Sequence, residues 1–142
     1  MSTGREVMET WFRRVWSEQD CSAIEELFIP DGKARGLGAN VLIGPEGFKQ
    51  FHSALCGLLT NFVITIDKSV ESGEWISVVC TLRAKSQRSG APVEMTGSVM
   101  VRIVGGKLTE AYNHWDFLSM FSQLGLLPAE TFEKALGGEK II

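Results

Sequence analysis

Histidine is scarce in this chain: 142 residues carry two, His52 and His114, alongside three cysteines, four prolines and one tyrosine. The two imidazoles fall on different predicted elements, and Cys21, Cys56 and Cys80 have no CxxC spacing. Neither a metal site nor a disulfide framework is therefore expected, and the thiols read as small buried side chains. No apolar run approaches the roughly 18 residues of a membrane span, and the first residues, Met1 to Glu6, have no apolar signal core, so the chain reads as soluble and cytoplasmic with no membrane partner. Arg13-Arg14 is the longest basic block and the formal net charge is -3. Without a basic footprint for a phosphate backbone, nucleic acid is excluded as a partner. What remains is a single domain over residues 1–142, long enough to bury about two-thirds of the surface its unfolded chain exposes.

The first half of the chain is patterned for helices. Val7, Met8, Trp11, Phe12 and Val15 form a stripe at helical spacing that ends near Ser17. Asp20-Cys21-Ser22 caps a short second helix through Phe28, stopped by Pro30-Asp31-Gly32. A short strand over Lys33 to Leu37 precedes a glycine-containing loop, and Pro45-Glu46-Gly47 opens a third helix carrying Phe48, Phe51, Leu55, Leu58 and Leu59. The second half is patterned for strands at Phe62–Asp67, Trp75–Arg83, Val93–Ile103 and Lys107–Trp115. Their short connections predict an antiparallel meander, because a parallel crossover requires a dozen or more residues. A final helix begins at Pro128-Ala129-Glu130 and ends at Gly137-Gly138. The class is α+β.

The run from Glu110 to Gly125 concentrates polar groups in an apolar stretch. On a strand, Tyr112, His114 and Asp116 share one face, and Ala111, Asn113 and Trp115 take the other. A carboxylate among Trp115, Phe117 and Leu118 is costly unless it is used or paired, which suits Asp116 to remove a proton from a weakly acidic carbon. Asp is equally a favoured helix N-cap, and Phe117 is where a helix would start. His114 either orients Asp116 or is a packed core residue, and Tyr112 either donates to an enolate oxygen or forms a wall. Arg83 could pair with a substrate carboxylate if its strand face looks inward. His52 and Cys56, four apart on the third helix, read as packing. The aromatic content, Trp16, Phe51 and Phe121 among it, is large for a tight core and suits a cavity for a bulky apolar ligand. The alternative use of such apolar positions, Trp75, Met100 and Val104 on the outer face of an open sheet, is a homodimer interface.

Taken in order, the Val15-Trp16-Ser17-Glu18-Gln19-Asp20 helix end, Gly44-Pro45-Glu46-Gly47-Phe48, Gly106-Lys107-Leu108-Thr109-Glu110 and the Asp116-to-Pro128 tail resemble the SnoaL-like polyketide cyclases. That family belongs to the nuclear-transport-factor-two-like superfamily, and the likeness covers nearly the whole chain. It implies a cone: a curved antiparallel sheet packed against N-terminal helices, with a C-terminal helical tail. It also implies a pocket Asp at the end of the last strand, matched here by Asp116, that works as acid/base in an intramolecular aldol closure without metal or organic cofactor. Relatives often carry Trp where this chain has Tyr112, and a His on the strand that here runs Cys80 to Lys85, where this chain has none.

These readings combine into a cofactor-free acid/base enzyme acting on a small, mostly apolar carbonyl or polyketide-like compound, by aldol-type cyclisation or a related isomerisation. Asp116 and His114 are the candidate catalytic residues, and Tyr112, Arg83, Trp16, Phe51 and Phe121 the candidate substrate contacts. A non-catalytic ligand-binding or dimeric assembly module on the same fold is the alternative, and the missing strand His favours it. Epoxide hydrolysis, which on this fold uses an Asp-Arg-Asp set, fits less well.

Overall fold

A computed structural model describes residues 3–142. Helix α1 (Gly4–Trp11) starts at a capping box in which Thr3 and Glu6 satisfy each other's backbone N–H groups, and it continues into a π-helical turn, Phe12–Ser17. Asp20 caps α2 (Cys21–Leu27). Strand β1 (Phe28–Arg35) and the two-residue β2 (Leu42–Ile43) lead into α3 (Gly44–Leu58), which has Pro45 in its first turn. Strands β3 (Leu59–Ser72), β4 (Trp75–Ser86), β5 (Pro92–Val104) and β6 (Lys107–Trp115) follow, then α4 (Phe117–Gln123) and α5 (Thr131–Leu136).

The strands form one sheet in the order β2-β1-β6-β5-β4-β3, and β3 to β6 are the antiparallel meander that the short turns predict. The result is a mixed α+β fold with a curled six-stranded sheet that does not close. Curling has a local cause: the register slips in β3 between Thr60 and Val63 and again between Ile66 and Lys68, and such bulges bend a strand.

The N-terminal half requires two corrections. Phe28 opens a strand and does not end a helix, and β1 runs through Pro30 and Gly32 where the sequence suggests a stop. It pairs with β6 in parallel, reached through the long path of α3 and the meander. Proline is tolerated because the β1–β6 register breaks between Phe28 and Lys33, so Pro30 forfeits no regular ladder bond. The last helix also starts later than Pro128, at Thr131.

The core lies between the concave face of the sheet and the helices. Along β4, Ile76, Val78, Cys80, Leu82 and Ala84 are buried at every second position. They meet Met8, Trp11, Val15 and Trp16 from the first helical segment and Phe48 and Leu55 from α3. Cys80 is buried, Cys56 partly so, and Cys21 is exposed, contrary to the uniform burial expected of the three thiols. Burial pushes the Cys80 thiol up to about 12, so it is not a nucleophile at neutral pH.

Candidate functional site: an apolar cavity under the curled sheet

A cavity of about 50 Å³ lies between the sheet and the helices. A single water needs roughly 10–15 Å³ on this measure, so the space holds a few waters, and a ring-sized guest fits only if wall side chains shift. Its helix side is aromatic: Trp11 and Phe48 meet edge-to-face with centroids 5.1 Å apart, and Phe51 meets Phe117 likewise at 6.1 Å. Its sheet side is aliphatic, with Leu82, Met95, Val99, Val101 and Ala111. Trp115 closes one part of the sheet side by lying over Gly97, where a β-carbon would stand 2.4 Å from the indole ring. A glycine is required there, and it sets how deep the indole sits.

Among the described residues, one wall residue carries an amide, and none carries a hydroxyl, a carboxylate, an imidazole or a basic group. That residue is Asn113, at 9% exposure. Its Nδ2 donates to the backbone carbonyl of Arg35 at 3.0 Å, tying the end of β1 to β6. The chain turns away at Gly36 with φ of +86°, packed directly on the Asn113 backbone. Among the described residues, no group of three His, Cys, Asp or Glu side chains converges on a point that would hold a metal ion.

The sequence-derived candidates divide sharply. Trp16 and Phe51 are on the cavity wall. Phe121 stacks on Phe117 with centroids 6.3 Å apart and is not itself on the wall. Arg83 is on the convex face of the sheet, exposed and paired with Glu94 at 2.9 Å. Tyr112 is on the convex face too: its hydroxyl donates to Glu110, its ring lies 6.4 Å from that of Trp75, and the bond to Glu110 pushes the phenol's pKa up. His114 is exposed opposite Ser98. Asp116 is exposed rather than buried, lies just past the strand end, and accepts from the Ser119 backbone N–H at 3.1 Å as the N-cap of α4.

The expectation of a phenol, an imidazole and a carboxylate lined up on a pocket wall is thereby corrected. The physical reason is strand parity. Asn113 and Ala111 sit opposite the buried Val99 and Val101 of β5, whereas Tyr112 and His114 sit opposite Met100 and Ser98 on the other face. Apolar pairing sends the Ala111, Asn113 and Trp115 set inward, which leaves the polar set facing out. Asn113 is the wall residue that reasoning from charged groups missed. The signal for it was the company it keeps, an Ala and a Trp on the same strand face with no ionisable group on that face between them.

His52 and Cys56 are packing, as read from their spacing. His52 is buried, its Nε2 lies 2.7 Å from the Val15 carbonyl in the π-helical turn, and its ring rests 4.7 Å from that of Trp16. A carbonyl only accepts, so Nε2 carries the proton. The imidazole thus supports the cavity's aromatic wall from behind. Burial raises the neighbouring Cys56 thiol.

A family model, SnoaL-like polyketide cyclase, matches residues 6–124. The chain belongs to the SnoaL-like polyketide cyclase family. Solved structures repeat this SnoaL-like fold at low identity. IdmH from Streptomyces antibioticus, proposed to be a polyketide cyclase, is similar with TM-score 0.76 and 19% identity over 87% of this chain and 99% of that one. A protein of ketosteroid isomerase-like fold from Catenulispora acidiphila, solved with trimethylamine, is similar with TM-score 0.73 and 20% identity over 87% and 95%. An NTF2-like protein of unknown function from Burkholderia pseudomallei gives 0.72 and 19% over 87% and 98%. No curated protein matches the sequence. Within the described residues of this SnoaL-like chain, no helix is long and apolar enough to cross a membrane.

Proposed function

We propose that this SnoaL-like protein binds a small, mostly apolar compound in its internal cavity without acid/base catalysis by the protein. The observation that carries the reading is the composition of the wall: aromatic, aliphatic and thioether groups with one amide. General acid/base chemistry needs a titratable group within about 2.6–3.2 Å of the proton it moves, directly or through one water. Asp116 and His114 stand outside the wall. Asp116, moreover, is occupied as a cap.

Family membership supports the cyclase reading, in which a polyketide-like carbonyl compound folds in the cavity and closes by an aldol step. Under that reading the cavity supplies confinement, and Asp116 has to reach the reacting carbon by leaving the α4 terminus. Neither reading calls for a cofactor. The trimethylamine in the Catenulispora protein lends support to the binding of small molecules on this fold.

The protein is further proposed to be a homodimer through the convex face. Val79 and Met100, each 46% exposed, stand there with Trp75 and Tyr112, and Val104 extends the apolar surface at the end of β5. An open sheet face of this composition is ordinarily covered.

The decisive experiment is a titration with toluene followed through the methyl resonances of Met8 and Met95, both on the wall. Saturable shifts in the wild type, lost on filling the cavity by Ala111→Leu, are expected. Unchanged methyl resonances would overturn cavity binding. Turnover of a polyketide-like carbonyl compound that disappears in a folded Asp116→Asn variant would establish the enzyme reading instead.

A further inference from the structure

We propose that the ligand of this cavity carries a hydroxyl group on its apolar skeleton, and that this hydroxyl donates to Oδ1 of Asn113. The inference rests on the cavity-binding reading and specifies its ligand chemistry.

The orientation of the Asn113 amide is settled by its partner. The Arg35 carbonyl can only accept, so the side-chain atom 3.0 Å from it is the nitrogen, and a flipped amide would set two acceptors against each other. Oδ1 is thereby the group left over. It accepts no hydrogen bond from any described residue. It is also not sealed away, since no side-chain nitrogen or oxygen among the described residues is both fully buried and unpaired. Asn113 is nine-tenths buried and lines the cavity.

The rest of the wall sharpens the choice. Its three indoles, of Trp11, Trp16 and Trp115, only donate, and the thioethers of Met8 and Met95 are weak acceptors. Among the described residues, Asn113 is the one lining residue whose side chain holds a strong acceptor, its Oδ1. A guest that fills the cavity with a hydrocarbon leaves this oxygen without a partner, and a guest presenting a carbonyl oxygen sets acceptor against acceptor. A hydroxyl, phenolic or enolic, satisfies it, and burial makes the difference between paired and unpaired large. The bond to Arg35 uses one of the two Nδ2 hydrogens and holds the amide in place, so Oδ1 stays an acceptor and a carbonyl guest can be served only by the second N–H. A hydroxyl guest is therefore distinguished from a carbonyl one by which group, oxygen or N–H, it engages.

The test compares phenol, toluene and benzaldehyde, which share ring size and differ at one substituent, on the wild type and on Asn113→Leu. Because phenol is better hydrated than toluene, the readout is the ratio of their dissociation constants in each protein and not the raw affinities. The ratio is expected to shift against phenol by about fivefold or more in Asn113→Leu, the range of one buried hydrogen bond. The toluene-to-benzaldehyde ratio should shift little. In case Asn113→Leu does not fold, wild-type protein labelled at the Asn side-chain carbon gives an independent reading: the Asn113 ¹³Cγ resonance should move downfield with phenol and stay in place with toluene. Toluene binding with an unshifted phenol ratio or an unmoved ¹³Cγ signal overturns the hydroxyl proposal alone. An equal gain for benzaldehyde overturns it as well, because the amide would then be offering its N–H. Failure of all three probes to bind overturns the cavity reading together with it.

Discussion

A β-carbon added to Gly36 would stand 1.8 Å from the backbone carbonyl oxygen of Asn113, closer than any van der Waals contact allows. Two strands distant in sequence therefore meet at this point through bare backbone. The same contact places the Arg35 carbonyl where the Asn113 amide can reach it, so the polar corner of the cavity depends on a residue without a side chain.

Gly36→Ala is expected to destabilise the protein by more than about 2 kcal/mol. The left-handed backbone alone costs an alanine about 1–2 kcal/mol, and the clash with backbone cannot be relieved by turning a side chain. Chemical denaturation measures the loss, and the Asn113 side-chain amide resonances should shift in whatever folded protein remains. A stability within 0.5 kcal/mol of wild type, on the scale of ordinary surface substitutions, would contradict the close packing.

Asp116 should behave as a helix cap. Asp116→Ala is expected to cost about 1 kcal/mol, while Asp116→Asn stays near neutral, because asparagine caps almost as well. Toluene binding should be unchanged in both variants once the folded fraction is accounted for. Weakened binding in a well-folded Asp116→Asn protein would return this carboxylate to the ligand site.

Acid stability should depend on Asp20. The Ser22 hydroxyl, and then the Arg14 guanidinium, hold its carboxyl at about 2 against an ordinary 3.8. A carboxyl depressed in the folded state stabilises the protein fully above the unfolded value, and that contribution fades as pH falls from 3.8 towards 2. Asp20→Asn keeps a capping side chain without the charge. The stability gap between wild type and Asp20→Asn should accordingly be constant from neutral pH to about pH 4 and shrink below it, as followed by urea unfolding at stepped pH. A gap that widens on acidification would refute the assigned cause.

Val79→Lys is expected to yield a monomer with unaltered circular dichroism, since Val79 is exposed on the convex face opposite Ser98 and contributes nothing to the concave core. Sedimentation at micromolar concentration reads this directly. A wild-type protein that already sediments at 15.6 kDa would remove the dimer from consideration.

Much of the architecture is legible in the residues. The four long strands, their antiparallel order and the boundaries of β6 follow from β-branched runs separated by short glycine-containing turns. The helical stripe of Val7, Trp11 and Val15, the cap at Asp20 and the proline in the first turn of α3 follow from spacing, capping chemistry and the fixed φ of proline. Of strand β1, Lys33 to Arg35 falls within the short strand expected from the sequence, whereas Phe28 to Gly32 is not legible, because Pro30 and Gly32 argue against a strand locally and the seat beside β6 is a tertiary one. Of the candidate site, Trp16 and Phe51 were identifiable as large apolar groups on predicted helices, while Asn113 was visible only as a member of the less polar face of its strand.

The sequence by itself determined that the last strand has two alternating faces, one bearing Ala111, Asn113 and Trp115 and the other Tyr112 and His114, because a strand's side chains repeat with a period of two. It did not determine which face looks inward. That was decided by the tertiary structure, where Val99 and Val101 of the neighbouring strand pair with Asn113 and Ala111 and turn that set towards the helices. The free energy of burying the apolar partners outweighs any local preference of the polar ones, so the ionisable residues were left on the convex side and a single amide entered the cavity.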